Sequence, residues 1–280
     1  MKKVIIRAYQ KSLLRPLFFP LQNDLPGKKF VFIVGCYNSG TSVLSHILAS
    51  HPEISSLPSE GAVLTSGLTR SEDYGWPRMW HMCEDKVRED ENSTVPDARR
   101  IKKDWSFWYD NNKDICLEKS ITNSAKIRWF EKHFNSPYFI WIIRNGYCVA
   151  EGIRRRSKEV EKYDFSYKGT GYPIGMCARQ WVVNNSVIET DTANVKKLFK
   201  ITYEELMDDM DSVAGRIFEW LPVKEKGFSV DGVNQFSFHK ETRPIKDMNK
   251  ESFARLEDDD IKEINREARD SLKRWGYEVL

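Results

Sequence analysis

Short, continuous runs of apolar residues define the strands that the sequence predicts. Residues 30–34 (FVFIV) form a β-branched and aromatic run, the composition of a strand that is buried on both faces of a sheet. Three later runs have the same character, at 115–117, at 138–143 (YFIWII) and at 198–203 (LFKITY). The pattern therefore predicts four strands of a central parallel sheet.

Apolar residues at steps of three and four predict the helices. The first helix follows Gly40 and places Val43, Leu44, Ile47 and Leu48 on one face. Four more stripes follow: Ile127, Phe130 and Phe134; Ala178, Trp181, Val182 and Asn185; Met210, Val213, Ile217 and Leu221; and Ile261, Ile264, Ala268, Leu272 and Trp275. Strands and helices together predict an α/β fold, a three-layer sandwich with a central parallel sheet of the P-loop NTPase-like kind, as one domain over residues 29–280.

Residues 1–28 differ from the rest and predict an N-terminal basic helical segment. Positive charge precedes apolar residues there, but Lys11, Arg15, Pro16 and Pro20 interrupt the apolar stretch, so a signal peptide is disfavoured. Residues 1–22 would suit an anionic membrane surface as a basic amphipathic helix, or would pack against the domain's flank. The sequence contains no run of about 18 apolar residues, so no transmembrane helix is predicted.

Charge and cysteine content narrow the function classes. The 280 residues carry 44 basic and 41 acidic side chains, a net charge of +3, and this balance argues against a nucleic-acid partner. Five cysteines, an odd number without metal-ligand spacing, predict buried thiols in a reducing compartment and hence a cytoplasmic protein. With no HExxH and no paired Cys-x-x-Cys, no metal centre is expected.

The loop between the first strand and the first helix carries the first candidate chemistry. Gly35 and Gly40 enclose four residues, and Thr41 and Ser42 open the helix. The free N–H groups of a helix N-terminus beside a glycine loop suit a phosphate. A Walker A loop would have Lys where this chain has Thr41, so ATP or GTP hydrolysis is disfavoured.

This loop resembles the 5′-phosphosulfate loop of the sulfotransferases. The match rests on these residues: Gly35, Ser39, Gly40, Thr41 and Ser42, with His51 and Pro52 after the helix. Members of that family usually carry Arg or Lys before the Ser-Gly-Thr, and this chain has Asn38. The resemblance implies a P-loop-like α/β enzyme that uses 3′-phosphoadenosine 5′-phosphosulfate (PAPS) as its sulfuryl donor, without a metal.

Two residues are implied as catalytic by the same resemblance. Glu60 lies where the family has its proposed general base, and a carboxylate beside an acceptor hydroxyl has a chemical reason to be there. Lys119 follows the 115–117 strand and would stabilise the leaving oxygen. Read without the resemblance, Glu60 is a surface carboxylate on a loop and Lys119 a commonplace strand-end lysine. His81 is a rival for the base.

The third strand ends in Arg144, which matches the family's 3′-phosphate motif, since a guanidinium grips phosphate with two hydrogen bonds. The family's serine eight residues later is Gly152 here. Of the three arginines that follow, 154–156, one is expected at the site and the others in solvent. Tyr203-Glu204 matches a family signature and is expected to be structural.

The donor site predicted in this way comprises Asn38, Ser39, Gly40, Thr41, Ser42, Arg144, Gly152, Arg243 and Lys246. The last two belong to a polar loop at 239–253, HKETRPIKDMNKESF, and the resemblance implies that this loop covers the 3′-phosphate. A solvated linker is the alternative for it.

The acceptor is the least determined part. Trp76, Trp80, Trp105 and Trp108 lie in an aperiodic, aromatic-rich insert, and aromatic faces suit sugar rings, although aromatic residues are more often core. A carbohydrate is therefore the predicted acceptor, through a hydroxyl or an amine, and a lipid or small metabolite is the next choice. The alternatives to a sulfotransferase are a P-loop nucleotide kinase-like enzyme and a catalytically silent nucleotide-binding module.

Overall fold

The computed structural model of the protein describes residues 23–94, 96–160, 164–226, 228–230, 233, 235–238 and 241–280. Residues 1–22 of the predicted N-terminal helical segment lie outside the described residues. Residues 23–28 are neither helix nor strand and lead into the first strand. Among the described residues, no helix combines the length and apolarity that crossing a membrane requires.

A five-stranded parallel sheet forms the centre. The strands are β1 (Lys29–Val34), β2 (Ile54–Ser56), β3 (Ile115–Glu118), β4 (Tyr138–Ile143) and β5 (Leu198–Thr202), in the order β2-β3-β1-β4-β5. All four predicted strands are confirmed. The sequence did not reveal β2, because three residues are too few to show a period.

Alternate residues of β1 belong to two separate cores. Phe30 and Phe32 pack into one apolar cluster, and Val31 and Ile33 pack into the other. Because successive strand side chains point to opposite faces, this division places one core on each face of the sheet. Both are covered by helices, so the three-layer α/β prediction is confirmed.

The α-helices are α1 (Thr41–Leu48), α2 (Gly61–Leu64), α3 (Glu84–Val87), α4 (Ala98–Ser106), α5 (Ile127–His133), α6 (Gly146–Lys158), α7 (Ile174–Thr192), α8 (Tyr203–Asp208), α9 (Met210–Trp220), α10 (Asn249–Phe253) and α11 (Asp258–Arg274). The described part of the chain also contains three 3₁₀ helices, at Ser71–Tyr74, Trp80–Cys83 and Ile121–Ala125. All five predicted apolar stripes fall on helices, and Phe134, Leu221 and Trp275 form the C-caps of three of them. Helices α1 and α9 cover one face of the sheet, where Leu44 and Ile217 are buried. Helices α7 and α11 cover the opposite face, where Trp181 and Ile264 are buried.

The segment 239–253, predicted to be a polar loop, contains regular structure. β6 (Gln235–Phe238) and β7 (Glu241–Pro244) pair in an antiparallel hairpin, and α10 follows. Backbone pairing within the hairpin satisfies groups that a loop would leave to water, which side-chain polarity alone does not reveal. The five cysteines are free and buried, as predicted.

Candidate active site

Residues that follow the carboxyl ends of all five strands meet at one cavity of about 690 Å³. Ligands of parallel α/β sheets bind at this edge. Nine of the predicted residues line the cavity: Asn38, Gly40, Thr41, Ser42, Glu60, Lys119, Arg144, Gly152 and Lys246. Ser39 is buried beside them, and the side chain of Arg243 lies outside the described residues. The structure therefore brings predicted residues from five distant segments to one cavity.

The loop after β1 is shaped by Gly40. Its φ of +88° is left-handed, and a Cβ there would lie 2.6 Å from Cδ2 of Tyr203, so a larger residue would be both strained and crowded. Gly40 also caps α1 without a side-chain hydrogen bond, which leaves the first N–H groups of the helix available to a ligand. The N–H of Ser39 is committed to the turn, since it donates to the Cys36 carbonyl at 3.3 Å.

Arg144, just after β4, is aimed at the same loop. Its Nη1 donates to the Asn38 carbonyl at 2.7 Å, and its Nε donates to Asn249 Oδ1 at 2.8 Å. Its guanidinium carbon lies 4.3 Å from the centre of the Tyr203 ring. The remaining Nη2 is buried and has no hydrogen-bond partner among the described residues. A buried donor on a cation is costly unless a ligand satisfies it.

The Tyr203-Glu204 pair fixes Arg144 in this position. Glu204 Oε1 accepts from the Asn249 side chain at 2.9 Å and from the Asn145 N–H at 3.2 Å. Glu204 therefore holds Asn249, which in turn orients Arg144. Tyr203 supplies the ring beneath the guanidinium. The structural role predicted for this pair extends to the site itself.

Three consecutive residues at the end of β3 bind three consecutive residues before and within α2. Lys119 Nζ donates to Glu60 Oε1 at 2.8 Å. Glu118 Oε1 accepts from the Gly61 N–H at 2.7 Å. Ser120 Oγ accepts from the Ala62 N–H at 3.1 Å. The two predicted catalytic side chains thus form an ion pair on a doubly anchored backbone.

Glu118 is buried, and burial raises its pKa from 4.5 to about 7, against hydrogen bonds from Ser120 and Gly61 that lower it. Its Oε2 accepts from the side chain of Asn123. Since this carboxyl ties Gly61 to β3, its protonation is linked to the stability of the Glu60 loop.

Glu118→Gln is expected to flatten the pH dependence of stability. The unfolded chain ionises Glu118 near pH 4.5 and the folded chain near pH 7, so the wild type loses stability as pH rises between these values, by about 3 kcal/mol at most. The glutamine fits if the Asn123 amide turns over, since Asn123 Oδ1 lacks a partner among the described residues. Urea unfolding at pH 4.5 and pH 8 measures this loss, and an equal loss in both proteins would contradict the assignment.

The two departures from the family pattern, Asn38 and Gly152, are in contact. A Cβ on Gly152 would lie 3.0 Å from Cβ and Cγ of Asn38 and 3.1 Å from its Nδ2. A serine at 152 would therefore crowd the Asn38 side chain. That Nδ2 is buried and lacks a partner among the described residues. The amide thus offers a donor beside the position where the family has its serine.

Among the cavity residues that were not found from the sequence are Tyr37, Glu72 and Arg78. Burial raises the pKa of Glu72, and the nearby Glu60 carboxylate raises it further. Burial likewise raises the pKa of Tyr37, whose hydroxyl lies 3.2 Å from Ser71 Oγ. Tyr37 lies inside the glycine loop and so had a positional signal. Glu72 and Arg78 had none, because their segment lacks periodicity.

The tryptophans of the insert do not line the cavity. Trp80 and Trp105 are fully buried, with indole N–H groups that donate to Asn184 Oδ1 and the Gly61 carbonyl. Trp76 and Trp108 pack against the same core. The aromatic signal was therefore core packing, which removes the observation on which a carbohydrate acceptor was predicted.

His81 is also absent from the cavity lining. Its Nδ1 lies 3.0 Å from Gln180 Oε1, and burial lowers its pKa. Glu72 does line the cavity, so it replaces His81 as the residue to test against Glu60 as the base.

The three arginines of α6 differ from the expectation that one serves the site. Arg155 and Arg156 both line the cavity, and they pair with Glu151 and Glu159 respectively at 2.9 and 2.8 Å. Arg154 instead forms a two-pronged ion pair with Asp260 of α11. None of the three arginines is simply solvated.

Lys246, a predicted residue of the 239–253 segment, lines the rim of the cavity. It forms an ion pair with Glu251 at 2.6 Å.

These features fit a nucleotide with anions at both its 3′ and 5′ ends. The α1 N-terminus supplies free N–H groups, and Arg144 Nη2, Asn38 Nδ2 and Ser39 Oγ are buried polar atoms that lack partners among the described residues. Charge-assisted hydrogen bonds to phosphate would satisfy them. In the described part of the chain, no cluster of three or more His, Cys, Asp or Glu side chains is arranged to hold a metal ion.

Comparison with known proteins points the same way. The sequence model of a family described as "Sulfotransferase family" matches residues 31–226. The sulfotransferase domain from the curacin biosynthetic pathway resembles the chain with a TM-score of 0.52 at 16% identity, over 90% of this chain and 99% of that domain. Sulfotransferase STF9 from Mycobacterium avium resembles the chain with a TM-score of 0.52 at 15% identity, over 98% of this chain and 82% of that protein. At these identities the structural likeness shows the fold alone. No curated protein sequence matches the chain.

Proposed function

Because the chain belongs to the sulfotransferase family, whose sequence model covers well over half of it, we propose that its donor is PAPS and its acceptor a hydroxyl or amine. Sulfuryl transfer follows from the family. One observation carries the choice of donor: Arg144 and the α1 N-terminus face one cavity, and the Arg144 guanidinium hydrogen-bonds to the loop before α1. A 3′,5′-bisphosphorylated adenosine would engage both.

In this proposal the loop binds the 5′ end of the donor. The free N–H groups at the start of α1 and the hydroxyls of Thr41 and Ser42 donate to the 5′-phosphate. Arg144 donates through Nη2 to the 3′-phosphate, and Asn38 Nδ2 assists it. Lys246 lies on the rim and adds positive charge there. Arg243 is proposed for the same rim on the resemblance alone.

The bound donor supplies an activated sulfuryl group, so that transfer forms the acceptor oxygen–sulfur bond and breaks the bond from sulfur to the bridging oxygen of the 5′-phosphate. Glu60 accepts the proton of the acceptor hydroxyl. Lys119 donates to the bridging oxygen as negative charge develops on it. The Lys119–Glu60 distance of 2.8 Å shows that the two groups are adjacent at the cavity.

A panel assay tests the proposal. The protein and PAPS are incubated with oligosaccharides, hydroxylated lipids or amines, and mass spectrometry follows both the sulfated product and adenosine 3′,5′-bisphosphate. A carbohydrate remains the first acceptor to try, now without support from the tryptophans. Product that appears together with equimolar bisphosphate is the expected result. Binding of the bisphosphate without turnover on any acceptor would favour a silent binding module.

Arg144→Ala is expected to weaken binding of adenosine 3′,5′-bisphosphate by about 10²-fold, because a charge-assisted hydrogen bond such as the one from Nη2 is worth roughly 1.5–3 kcal/mol. Binding of adenosine 5′-phosphate, which lacks the 3′ group, should hardly change. Titration calorimetry with the two nucleotides measures both. Equal loss for the two would mean that Arg144 only supports the loop.

A further inference from the structure

A cation from the aromatic insert reaches the glycine loop at Asn38. Arg78 Nη1 donates to Asn38 Oδ1 at 3.4 Å, and the Arg78 guanidinium carbon lies 5.8 Å from the centre of the Tyr37 ring. Arg78 also lines the cavity together with Glu60 and Lys119. The loop itself carries no positive side chain between Gly35 and Ser42. Arg78 therefore places a positive charge where the loop lacks one.

The backbone holds Arg78 in an uncommon conformation. Its φ of +66° lies in the left-handed region, which costs a residue with a Cβ about 1 kcal/mol or more. The neighbouring residues enforce it: the Tyr172 hydroxyl donates to the Pro77 carbonyl at 2.9 Å, and Met79 and Trp80 are fully buried. Such strain persists where surrounding packing over-determines it, and it occurs often at ligand sites.

The electrostatics of Arg78 are incomplete within the protein. Among the described residues, no carboxylate lies within 4.0 Å of its guanidinium, and its hydrogen-bond acceptor is a neutral amide at long distance. Burial lowers its pKa and so does Arg156, whereas Tyr37, Glu72 and Glu60 raise it. An arginine remains charged under these conditions. A half-buried cation without an anionic partner gains most from an anion delivered by a ligand.

We propose that Arg78 binds the sulfuryl oxygens of the donor, from the side of the cavity that Glu60 and Glu72 occupy. This inference rests on the proposed function. It gives three residues one connected explanation: Gly152 leaves room for the Asn38 side chain, Asn38 accepts a hydrogen bond from Arg78, and Arg78 supplies the charge absent from position 38. Arg78 would thus distinguish PAPS from the desulfated nucleotide.

Comparing the Kd values of PAPS and adenosine 3′,5′-bisphosphate distinguishes sulfuryl binding by Arg78 from a structural role, and the measurement needs no acceptor. Arg78→Met is expected to raise the Kd of PAPS by about 10-fold or more, the loss of one charge-assisted contact, and to leave the Kd of adenosine 3′,5′-bisphosphate unchanged. Arg78→Lys should retain part of the preference. Arg70→Met is the matched control, since Arg70 belongs to the same insert but pairs with Asp73; its ratio of the two Kd values should equal that of the wild type.

A second variant guards against misfolding. Asn38→Lys in the Arg78→Met background returns a cation to the loop, and a restored ratio of Kd values would support the inference. If Arg78→Met shifts both Kd values equally or neither, the inference is overturned. It is also overturned if the double variant binds the bisphosphate without regaining PAPS affinity. A wild-type protein that binds neither nucleotide would instead overturn the proposed function and this inference together.

Discussion

Glu60→Gln is expected to slow sulfuryl transfer by about 10²-fold or more, the usual contribution of a positioned general base, while adenosine 3′,5′-bisphosphate binds as tightly as before. The substitution keeps the side chain's size but removes its ability to accept a proton. The backbone around it stays anchored, because Gly61 and Ala62 are held by Glu118 and Ser120. Initial rates with an acceptor identified by the panel measure the effect.

Glu72→Gln is the matched control for this prediction. Glu72 is the second carboxylate of the cavity on the Glu60 side, and its pKa is raised by burial and by Glu60. Its replacement should lower the rate far less than that of Glu60. If Glu72→Gln abolishes transfer and Glu60→Gln preserves it, Glu72 is the base.

Lys119→Met is expected to lower turnover by about 10² to 10³-fold, as loss of one donor to a developing negative charge does in other transfer reactions. Methionine retains much of the aliphatic bulk, so binding of the desulfated nucleotide should not change. Rapid-quench measurement of a single turnover isolates the transfer step from product release. A parallel loss in turnover and nucleotide affinity would assign Lys119 to binding instead.

The two substitutions are expected to be strongly non-additive. Lys119 Nζ and Glu60 Oε1 are 2.8 Å apart, and residues in direct contact that act in one step share their contributions. The Glu60→Gln, Lys119→Met double variant should therefore be only slightly slower than the slower single variant. Fully multiplicative losses would show that the two groups act independently.

The sequence predicted several residues that line this cavity because the ends of buried strands can be recognised from it. An apolar run marks a buried strand, and the charged residue after it marks the edge where ligands bind. Lys119 and Arg144 both follow this rule, and the structure brings them to the cavity that Gly40 lines. The short strand β2 offered no such run and was missed.

The rest of the site depends on long-range contacts that no local pattern encodes. Asn249 orients Arg144 across 105 positions of the chain, and Arg78 reaches Asn38 across 40. The prediction that the four tryptophans contact the acceptor lost its support for the same reason, since only the folded chain shows whether an aromatic ring faces a cavity or a core. Trp80 and Trp105 complete the core.

Asn38 and Gly152 show why departures from a family pattern are best read in pairs. Taken separately, each is a lost contact to the donor. In the structure a Cβ at 152 would lie 3.0 Å from the Asn38 side chain, so that the two residues are mutually adapted and an amide donor occupies this position. In this arrangement Asn38 Oδ1 accepts a hydrogen bond from Arg78.

A crystal structure of the complex with adenosine 3′,5′-bisphosphate tests the central claim most directly. We predict one nucleotide in the cavity, with its 3′-phosphate about 3 Å from Arg144 Nη2 and its 5′-phosphate within hydrogen-bond distance of the first N–H groups of α1. A nucleotide that contacts only one of these two places, or that binds elsewhere on the protein, would contradict it.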